Sequence, residues 1–457
     1  CIGQEDVLER WAEHFDELLN RPPPTELDDV LYRDAARADG APDVASQPPS
    51  LQEVTAAIRR LRSNKAAGED QVTPELLKCA GPAAHRALHS LITDVWTSGF
   101  APQEWKDSLI VPLHKKGDRT DTSNYRGISL LSIPGKVYTS VLYGRIKDLY
   151  ERSCRESQAG FRKGRGCSEQ IFVVRQVIER CYAYGKPAAL VFVDFKAAFD
   201  SVHRPSLWLV LLAVGIPTKI VDLIRDLYND GKSSVRCGNG CSRQFPVETG
   251  VRQGCILSLS PLLFNMAIDW VMRRTIAEGD GIQLADDFRL SDVDYADDIL
   301  LLADSPVNAE EFLARLSCNA GRLGLRLNVE KTKAMLLQMP TGVNRSIRFG
   351  QDALEEVDSF KYLGSNLSSD GRPSLDIGQR IGRASAVFAS FKERLWDRKE
   401  ISLNTKCRVY KAAVLSVLLY GAESWPVTVK SLQQLEVFQN NCLRRILGLR
   451  LSDRVHV

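Results

Sequence analysis

Residues 292–303, DVDYADDILLLA, are the most informative stretch of this 457-residue chain. Alternation up to Tyr295 and the apolar run from Ile299 are both typical of β-strands. The short step between them therefore predicts a β-hairpin with Asp297 and Asp298 at its tip. Adjacent carboxylates repel, and strands this apolar would not tolerate them in a core. Divalent cations would neutralise the pair, so the hairpin indicates a metal site.

A third carboxylate follows another apolar run. Residues 188–193, AALVFV, are typical of a buried strand and end abruptly in Asp194, where a charge is costly unless an opposite charge meets it. Oxygen ligands select Mg²⁺ or Mn²⁺ rather than zinc. Three carboxylates converging on two such ions about 3.5–4 Å apart would form a two-metal phosphoryl-transfer site. An isolated Asp297-Asp298 pair would be a simple polar turn, so this prediction depends on Asp194 and on the motifs below.

The net charge of the whole chain is only +3, which by itself argues against a nucleic-acid partner. The charge is unevenly distributed, however, with a net −7 over residues 1–102, +7 over 103–190, −4 over 191–375 and +7 over 376–457. A solvated charged face would also explain the two basic segments. The content of 44% hydrophobic and 26% charged residues excludes a disordered chain.

The cysteines and apolar runs exclude two other classes of protein. Eleven cysteines follow no regular framework, and Cys237 and Cys241 lack nearby ligands to complete a zinc site. Reduced thiols in an intracellular protein are the better interpretation. No apolar run approaches the roughly 20 residues of a membrane helix, since Ala412–Leu419 is too short. The chain begins with Cys1 rather than Met, which predicts a fragment.

Helical spacing of apolar residues predicts a helix over residues 7–19, ended by the prolines from Pro22 onward. The acidic, proline-containing stretch that follows, to about Pro49, is interpreted as a linker. Ser50 and Glu53 form a capping box, which predicts the start of the next helix.

Three motifs in order resemble one family. Tyr295-Ala296-Asp297-Asp298 resembles the Tyr-x-Asp-Asp box of reverse transcriptases. Residues 193–200, VDFKAAFD, resemble the first palm motif of the enzymes of non-LTR (LINE-type) retrotransposons, and residues 250–255, GVRQGC, resemble the second. The similarity extends from about Lys65 nearly to the end of the chain. One motif would be weak support, but the ordered set is specific.

The resemblance implies an α+β fold of the right-hand polymerase type, with basic fingers, a palm with an antiparallel sheet and a helical, basic thumb. It divides the chain into an N-terminal helix and acidic linker region (1–63), a helical lead-in to the fingers (64–93), the reverse transcriptase domain (94–367) and a helical thumb or C-terminal region (368–457). The endonuclease domain of such elements is expected to be missing, and the C-terminal region to be truncated.

The same resemblance implies the catalytic residues. Asp194, Asp297 and Asp298 would bind two Mg²⁺ ions, or Mn²⁺, as catalytic metal ligands. Lys331, in the stretch that resembles the fourth palm motif, would be the general acid for pyrophosphate, although a solvated lysine at a helix end would fit the sequence nearly as well. Phe199 would be the steric gate that excludes the ribose 2′-hydroxyl, its alternative being a core phenylalanine.

Further residues are carried over from the other motifs. Gln253 and Gly254 would lie under the incoming nucleotide and template. Arg126, Arg162 and Arg165, in two stretches that resemble fingers motifs, would contact the triphosphate or template phosphates. Tyr362, Leu363 and Gly364 resemble the primer-grip hairpin, and an ordinary edge strand is the alternative. Residues 256–261 are two residues longer than is usual in the family, which could impair placement of the template or nucleotide.

The implied function is that of an RNA-directed DNA polymerase acting in retrotransposition. Its partners would be an RNA template, a DNA primer or target and dNTPs, with no membrane, and it would be intracellular and nuclear when acting. A catalytically silent nucleic-acid-binding remnant is one alternative. An RNA-dependent RNA polymerase is another, which Phe199 disfavours because an RNA-synthesising site needs room for the 2′-hydroxyl. The sequence gives no indication of an oligomeric state.

Overall fold

The computed structural model describes residues 3–24, 29–37, 46–238, 240–252, 259–286, 288–342, 345–449 and 453. The chain forms two compact units. Unit 1 comprises Cys1–Lys163, Asp194–Ala277 and Phe312–Asn328, and unit 2 comprises Gly164–Val193, Glu278–Glu311 and Val329–Val457. Both units contain helices and strands, so the predicted α+β class is confirmed. The four continuous domains expected from the sequence stay a prediction.

Helices occur along the whole chain. In chain order they are α1 (Gln4–Leu19), α2 (Asp29–Arg37), α3 (Leu51–Arg60), α4 (Pro74–Cys79), α5 (Gly81–Ser98), α6 (Gln103–Lys106), α7 (Ile133–Ser153), α8 (Cys167–Tyr184), α9 (Ala198–Ser201), α10 (Arg204–Ala213), α11 (Thr218–Tyr228), α12 (Leu259–Thr275), α13 (Pro306–Gly321), α14 (Ser374–Ser390), α15 (Leu403–Val409), α16 (Ser416–Leu418) and α17 (Val429–Leu447). Within the described residues, no helix is both long enough and apolar enough to cross a bilayer.

The strands are shorter. They are β1 (Ser108–His114), β2 (Tyr125–Leu130), β3 (Ala188–Val193), β4 (Lys232–Cys237), β5 (Gly240–Cys241), β6 (Phe245–Pro246), β7 (Ile282–Ala285), β8 (Phe288–Leu290), β9 (Asp292–Tyr295), β10 (Asp298–Ala303), β11 (Lys333–Leu337), β12 (Arg348–Phe349), β13 (Asp352–Ala353), β14 (Glu355–Glu356), β15 (Ser359–Tyr362) and β16 (Ser365–Ser368). Three antiparallel ribbons in unit 2 are β7–β8, β12–β13 and β15–β16.

The largest sheet of unit 2 has the order β14-β11-β3-β10-β9. Its central strand, β3, is antiparallel to both β10 and β11, and β9 is antiparallel to β10, whereas the edge strand β14 runs parallel to β11. All six residues of β3 are buried, and apolar side chains of α8 share its hydrophobic core. Burial on both faces explains why β3 is a continuous apolar run instead of an alternating one.

The sheet of unit 1 has the order β2-β1-β4-β5, with β6 also paired to β4. β1 is antiparallel to β2 and parallel to β4. Helix α1 covers this sheet, because Trp11 and Phe15 belong to one buried cluster with Ile110, Val235 and Phe245. The helix predicted from the apolar spacing of residues 7–19 is therefore confirmed.

Local capping signals are also confirmed. The Ser50 hydroxyl accepts a hydrogen bond from the Glu53 backbone N–H at 3.3 Å, and the Glu53 carboxylate accepts one from the Ser50 backbone N–H at 2.9 Å. This reciprocal pair satisfies two N–H groups that the first turn of α3 leaves without a helical partner.

The interpretation of the whole stretch to Pro49 as a linker is wrong, because Asp29–Arg37 forms α2. Leu31 of this helix is fully buried, and α2 packs against α10. The Asp34 carboxylate pairs with Arg274 and accepts a hydrogen bond from the Trp270 indole at 3.1 Å. Trp270 and Arg274, more than 200 residues away in the chain, stabilise this helix through Asp34. The nine residues of the helix therefore do not predict it by themselves.

Candidate active site

The acid pair lies on a tight hairpin in unit 2. Tyr295 of β9 pairs with Asp298 of β10, so Ala296 and Asp297 form the turn, as the sequence predicts. Ala296 has a left-handed backbone with φ 58°, which costs a residue with a Cβ roughly 1–2 kcal/mol. Asp297 is half-buried and Asp298 is exposed. The turn thus places two consecutive carboxylates where solvent reaches them.

The strand predicted before Asp194 is β3, the centre of the same sheet. Its last residue, Val193, lies opposite Ile299, the second residue of β10. Asp194 follows Val193 directly in the chain. The C-terminal end of β3 and the acid-bearing start of β10 are therefore level with each other in the sheet.

In unit 1, Asp194 is held by Asn328. The Asn328 side-chain amide donates a hydrogen bond to Asp194 Oδ2 at 3.1 Å, and its backbone N–H donates to the Asp194 carbonyl at 2.8 Å. An isolated antiparallel bridge joins the neighbouring Phe195 and Leu327. Asn328 lies in the stretch that resembles the fourth palm motif, residues 324–333, but the sequence predicts no role for it. The one sequence feature that could have indicated such a role is that Asn328 is a polar residue between the apolar Leu327 and Val329.

Negative charge is concentrated along the β9–β10 hairpin. Besides the acid pair, Asp292 and Asp294 are buried, at 3% and 0% exposure. Tyr362 is also buried and donates its hydroxyl hydrogen to the Val293 carbonyl at 3.0 Å. Burial raises the pKa of Tyr362 well above its ordinary value, and the carboxylates of Asp294, Asp298 and Asp292 raise it further. The tyrosine therefore stays a neutral donor in a negatively charged environment.

The donor chemistry of the three carboxylates fits Mg²⁺ or Mn²⁺, because they offer only hard oxygen ligands. A cation would also offset the repulsion between the consecutive Asp297 and Asp298. In the described part of the chain, no three or more His, Cys, Asp or Glu side chains are grouped closely enough to hold a metal ion. The two-ion site stays a prediction that rests on the donor type.

Phe199 lies on α9 within an aromatic cluster of unit 1. Its ring stacks on Phe264 of α12, with centroids 4.0 Å apart and planes 16° apart, and meets Phe161 edge-on at 6.4 Å. Phe264 is fully buried, whereas Phe199 is half-buried. The core therefore anchors one face of the Phe199 ring and leaves part of the ring accessible, so its role as a steric gate stays a prediction.

The three arginines predicted to contact phosphates differ in their surroundings. Arg126 on β2 and Arg165 are exposed. Arg162 has only 7% of its side chain exposed and pairs with Glu151 at 3.1 Å, and it donates two further hydrogen bonds to backbone carbonyls at 2.9 Å. This geometry favours a role for Arg162 in fixing its own loop over the predicted phosphate contact.

Lys331 is exposed in the turn that precedes β11. It does not lie at a helix end, which was the alternative considered from the sequence. Exposure is compatible with a lysine that donates a proton to a solute, and this role stays a prediction.

The primer-grip motif forms a hairpin, as the resemblance implies. β15 and β16 are joined by Leu363 and Gly364, with φ 46° and 87°, the positive values that a type I′ turn requires. The Tyr420 hydroxyl donates to the Leu363 carbonyl at 2.9 Å, and the Arg380 guanidinium donates to the Gly364 carbonyl. Both turn carbonyls are thus fixed from the helical C-terminal part of unit 2, while contact with a primer stays a prediction.

The second palm motif is described only in part. Gln253, Gly254 and residues 256–258 of the lengthened segment lie outside the described residues. Ser260 and Pro261 lie within α12 and are buried.

Sequence reasoning did not assign a role to Arg252 of this motif. Arg252 is half-buried in unit 1, and its guanidinium donates to the backbone carbonyls of Trp105, Lys106 and Leu227 at 2.9, 2.5 and 2.6 Å. Burial lowers the pKa of Arg252. The three carbonyl oxygens take the place of water as its hydrogen-bond acceptors. The arginine therefore joins α6, α11 and the second motif.

The Asp194 strand and the acid-bearing hairpin are the elements from which the sequence predicts a polymerase, and comparison with known families shows the class of protein. Residues 113–367 match the family described as reverse transcriptase (RNA-dependent DNA polymerase). Because the match covers more than half of the chain, the chain belongs to this family.

Three relatives are proteins of mobile elements of Drosophila melanogaster. The chain is 27% identical to the "Probable RNA-directed DNA polymerase from transposon BS", over 88% of the chain and 45% of that protein. It is 26% identical to the "RNA-directed DNA polymerase from mobile element jockey", over 87% of the chain and 44% of that protein. It is 28% identical to a protein of the type-1 retrotransposable element R1DM, over 83% of the chain and 36% of that protein. The resemblance to non-LTR retrotransposon enzymes is therefore confirmed, and the chain spans less than half the length of these relatives.

Proposed function

We propose that the chain is an RNA-directed DNA polymerase that adds dNTPs to a primer 3′-end. One observation carries the proposal. The central strand β3, which runs into Asp194, ends level with the start of β10, which carries Asp297 and Asp298. Membership of the reverse transcriptase family supports it.

In the proposed reaction, the primer 3′-oxygen forms a bond to the α-phosphorus of the dNTP while the bond between that phosphorus and the bridging oxygen to the β-phosphate breaks. The 3′-hydroxyl loses its proton to bulk water, and pyrophosphate leaves. Lys331 is exposed and would donate a proton to the leaving group. Phe199 would occupy the space that a ribose 2′-hydroxyl needs.

Asp194, Asp297 and Asp298 would hold two Mg²⁺ ions, which would lower the pKa of the 3′-hydroxyl and stabilise the charge of the leaving pyrophosphate. The chain's own contribution is to hold the ligands. Asn328 orients the Asp194 carboxylate at 3.1 Å, and the strained turn at Ala296 presents the acid pair.

The proposal includes the right-hand arrangement of fingers, palm and thumb. It also includes an RNA template and a chromosomal DNA target, which would make the nucleus the place of action. Gln253, Gly254, Arg126 and Arg165 would contact the nucleotide or template, and the Leu363–Gly364 turn would contact the primer.

Primer extension on an RNA template with dNTPs and Mg²⁺ tests this function. We expect extension by the unaltered chain and a loss of about 10²- to 10³-fold for Asp297→Asn, the scale seen when a group that stabilises the transition state is removed. Asp352→Asn is the matched control, because Asp352 is an exposed carboxylate on the β12–β13 ribbon of the same unit.

Template binding is measured alongside by fluorescence anisotropy. Binding without extension by the unaltered chain would establish the silent-remnant alternative. An equal loss of activity in Asp297→Asn and Asp352→Asn would show that Asp297 has no specific catalytic role.

A further inference from the structure

A group of arginines lies in unit 1 that the proposed chemistry does not use. It lines a cleft of about 940 Å³ formed by the end of α1, the Pro22–Pro24 segment, the start of α2 and the residues at and after the end of α13. The charged residues of the lining are Arg21, Arg33, Arg322, Arg326, Glu17 and Asp29. Four cations against two anions leave the lining with a net charge of +2.

The Arg21 and Arg33 guanidiniums donate hydrogen bonds to neutral oxygens. Arg21 donates to the Leu18 and Lys196 carbonyls at 3.3 and 3.4 Å, and Arg33 donates to the Asp29 carbonyl at 3.2 Å. Carbonyls orient a guanidinium without cancelling its charge. Among the residues that the structure describes, none of Arg21, Arg33 and Arg326 forms an ion pair.

The cations also influence one another. Burial lowers the pKa of Arg21, Asp200 opposes this shift, and Arg326 adds to it. Arg21 and Arg326 are thus close enough for their like charges to repel. A bound anion would offset this repulsion, and a cleft lined by an excess of one charge attracts ions of the opposite sign.

We propose that this cleft binds the phosphodiester backbone of a single-stranded nucleic acid, with Arg21, Arg33 and Arg326 contacting its phosphates. The planar fork of a guanidinium matches phosphate oxygens. A single strand can bend into a concave cleft, whereas duplex DNA stays stiff over about 150 base pairs. This inference rests on the proposed function for one point, which is that the ligand is a nucleic acid.

The test is the salt dependence of binding of a labelled single-stranded RNA to the full chain. Each phosphate contact contributes about −0.7 to the slope of log K against log[salt] for a single strand, which is roughly fivefold in affinity at about 0.1 M salt. We expect the double variant Arg33→Gln, Arg326→Gln to bind roughly 25-fold more weakly and to lose about 1.4 from the magnitude of the slope. Single-stranded DNA of the same sequence should show the same losses, because the backbone is the ligand.

Arg243→Gln is the matched control. It removes one positive charge from the same unit, but Arg243 pairs with Glu9 and Asp16 and does not line the cleft. The double variant Arg33→Lys, Arg326→Lys should retain the slope, which separates the effect of charge from that of structural damage. A double variant with the slope of the Arg243→Gln chain, or a loss confined to RNA, would overturn the inference. Primer extension is measured separately. If the unaltered chain extends primers and the Arg33→Gln, Arg326→Gln variant keeps the salt slope of the unaltered chain, this site is refuted and the polymerase function stands.

Discussion

Asn328 contacts Asp194 through two hydrogen bonds. It holds the carboxylate with its side-chain amide and the Asp194 carbonyl with its backbone N–H. Of these two contacts with Asp194, Asn328→Ala removes the side-chain one and keeps the backbone one. The substitution therefore isolates the orientation of the carboxylate from the pairing of the two backbone segments.

We expect Asn328→Ala to reduce the turnover rate of primer extension while leaving the affinity for primer-template nearly unchanged. A hydrogen bond to a charged group contributes about 1.5–3 kcal/mol, which corresponds to roughly a 10- to 100-fold loss of rate. Asn308→Ala is the control, because Asn308 is exposed and bonds to Asp304 at 2.6 Å. A loss of affinity without a loss of turnover would show that Asn328 does not act through Asp194.

Phe199 supplies a second prediction. Its ring is accessible on one side and stacked on Phe264 on the other. We expect Phe199→Ala to lower the preference for dNTPs over ribonucleotides by roughly 10-fold or more, the scale of one steric contact in a pocket. Competitive incorporation with mixed nucleotides measures this. Phe161→Ala, which removes the edge-on neighbour, should leave the preference intact, and an unchanged preference in Phe199→Ala would exclude the gate.

At the level of elements, Asp376 joins α14 to β16 and α8 in unit 2. It is fully buried, pairs with Arg175 at 3.1 Å and accepts hydrogen bonds from Ser365 at 2.6 Å and Trp425 at 2.9 Å. Burial alone would raise the pKa of Asp376, but the hydrogen bonds from Ser365, Asn366 and Trp425 outweigh it and lower the pKa.

A lowered folded-state pKa predicts a pH dependence of stability. The stabilisation by Asp376 should be present above the ordinary pKa of an aspartate and lost as the pH falls through the lower folded-state value. Asp376→Asn leaves Arg175 buried without its charge partner, so we expect a loss of about 3–5 kcal/mol near neutral pH. The difference in free energy of unfolding between the unaltered chain and Asp376→Asn should become smaller below pH about 4. A gap that is constant with pH, measured by urea unfolding, would contradict this.

For the whole molecule, connectivity matters because unit 1 is assembled from three stretches of chain. In its sheet, β1 lies between β2 and β4, and the core under α1 includes Val235 and Phe245. A fragment of residues 1–163 keeps β2 but lacks β4 and these core residues.

We therefore expect the 1–163 fragment to lack a cooperative thermal transition, because one edge of β1 would be unpaired and its core incomplete. Near-ultraviolet circular dichroism during a thermal scan measures this, with the intact chain as reference. A sharp transition in the isolated fragment would show that its own contacts are sufficient.

Elements formed from neighbouring residues were predictable. The strand β3, the Ala296–Asp297 turn and the Ser50–Glu53 cap all follow from patterns a few residues long. Helix α2 was not predictable, since its buried Leu31 and the partners of Asp34 involve distant segments. The loop-fixing contacts of Arg162 were likewise missed, because an arginine in a basic motif looks the same whether it meets phosphate or Glu151.

Local patterning thus accounts for the class of fold, the acid-bearing hairpin and the family to which the chain belongs. Long-range contacts account for the rest: the hold of Asn328 on Asp194 across 134 residues, the buried pair of Arg175 and Asp376 across 201 residues, and the cleft that gathers Arg21 and Arg326. Strand and helix periodicity reflects how each residue faces its neighbours in the chain, and so it can be read along the sequence. A contact between distant residues leaves no such period, and it exists only once folding has brought the two segments together.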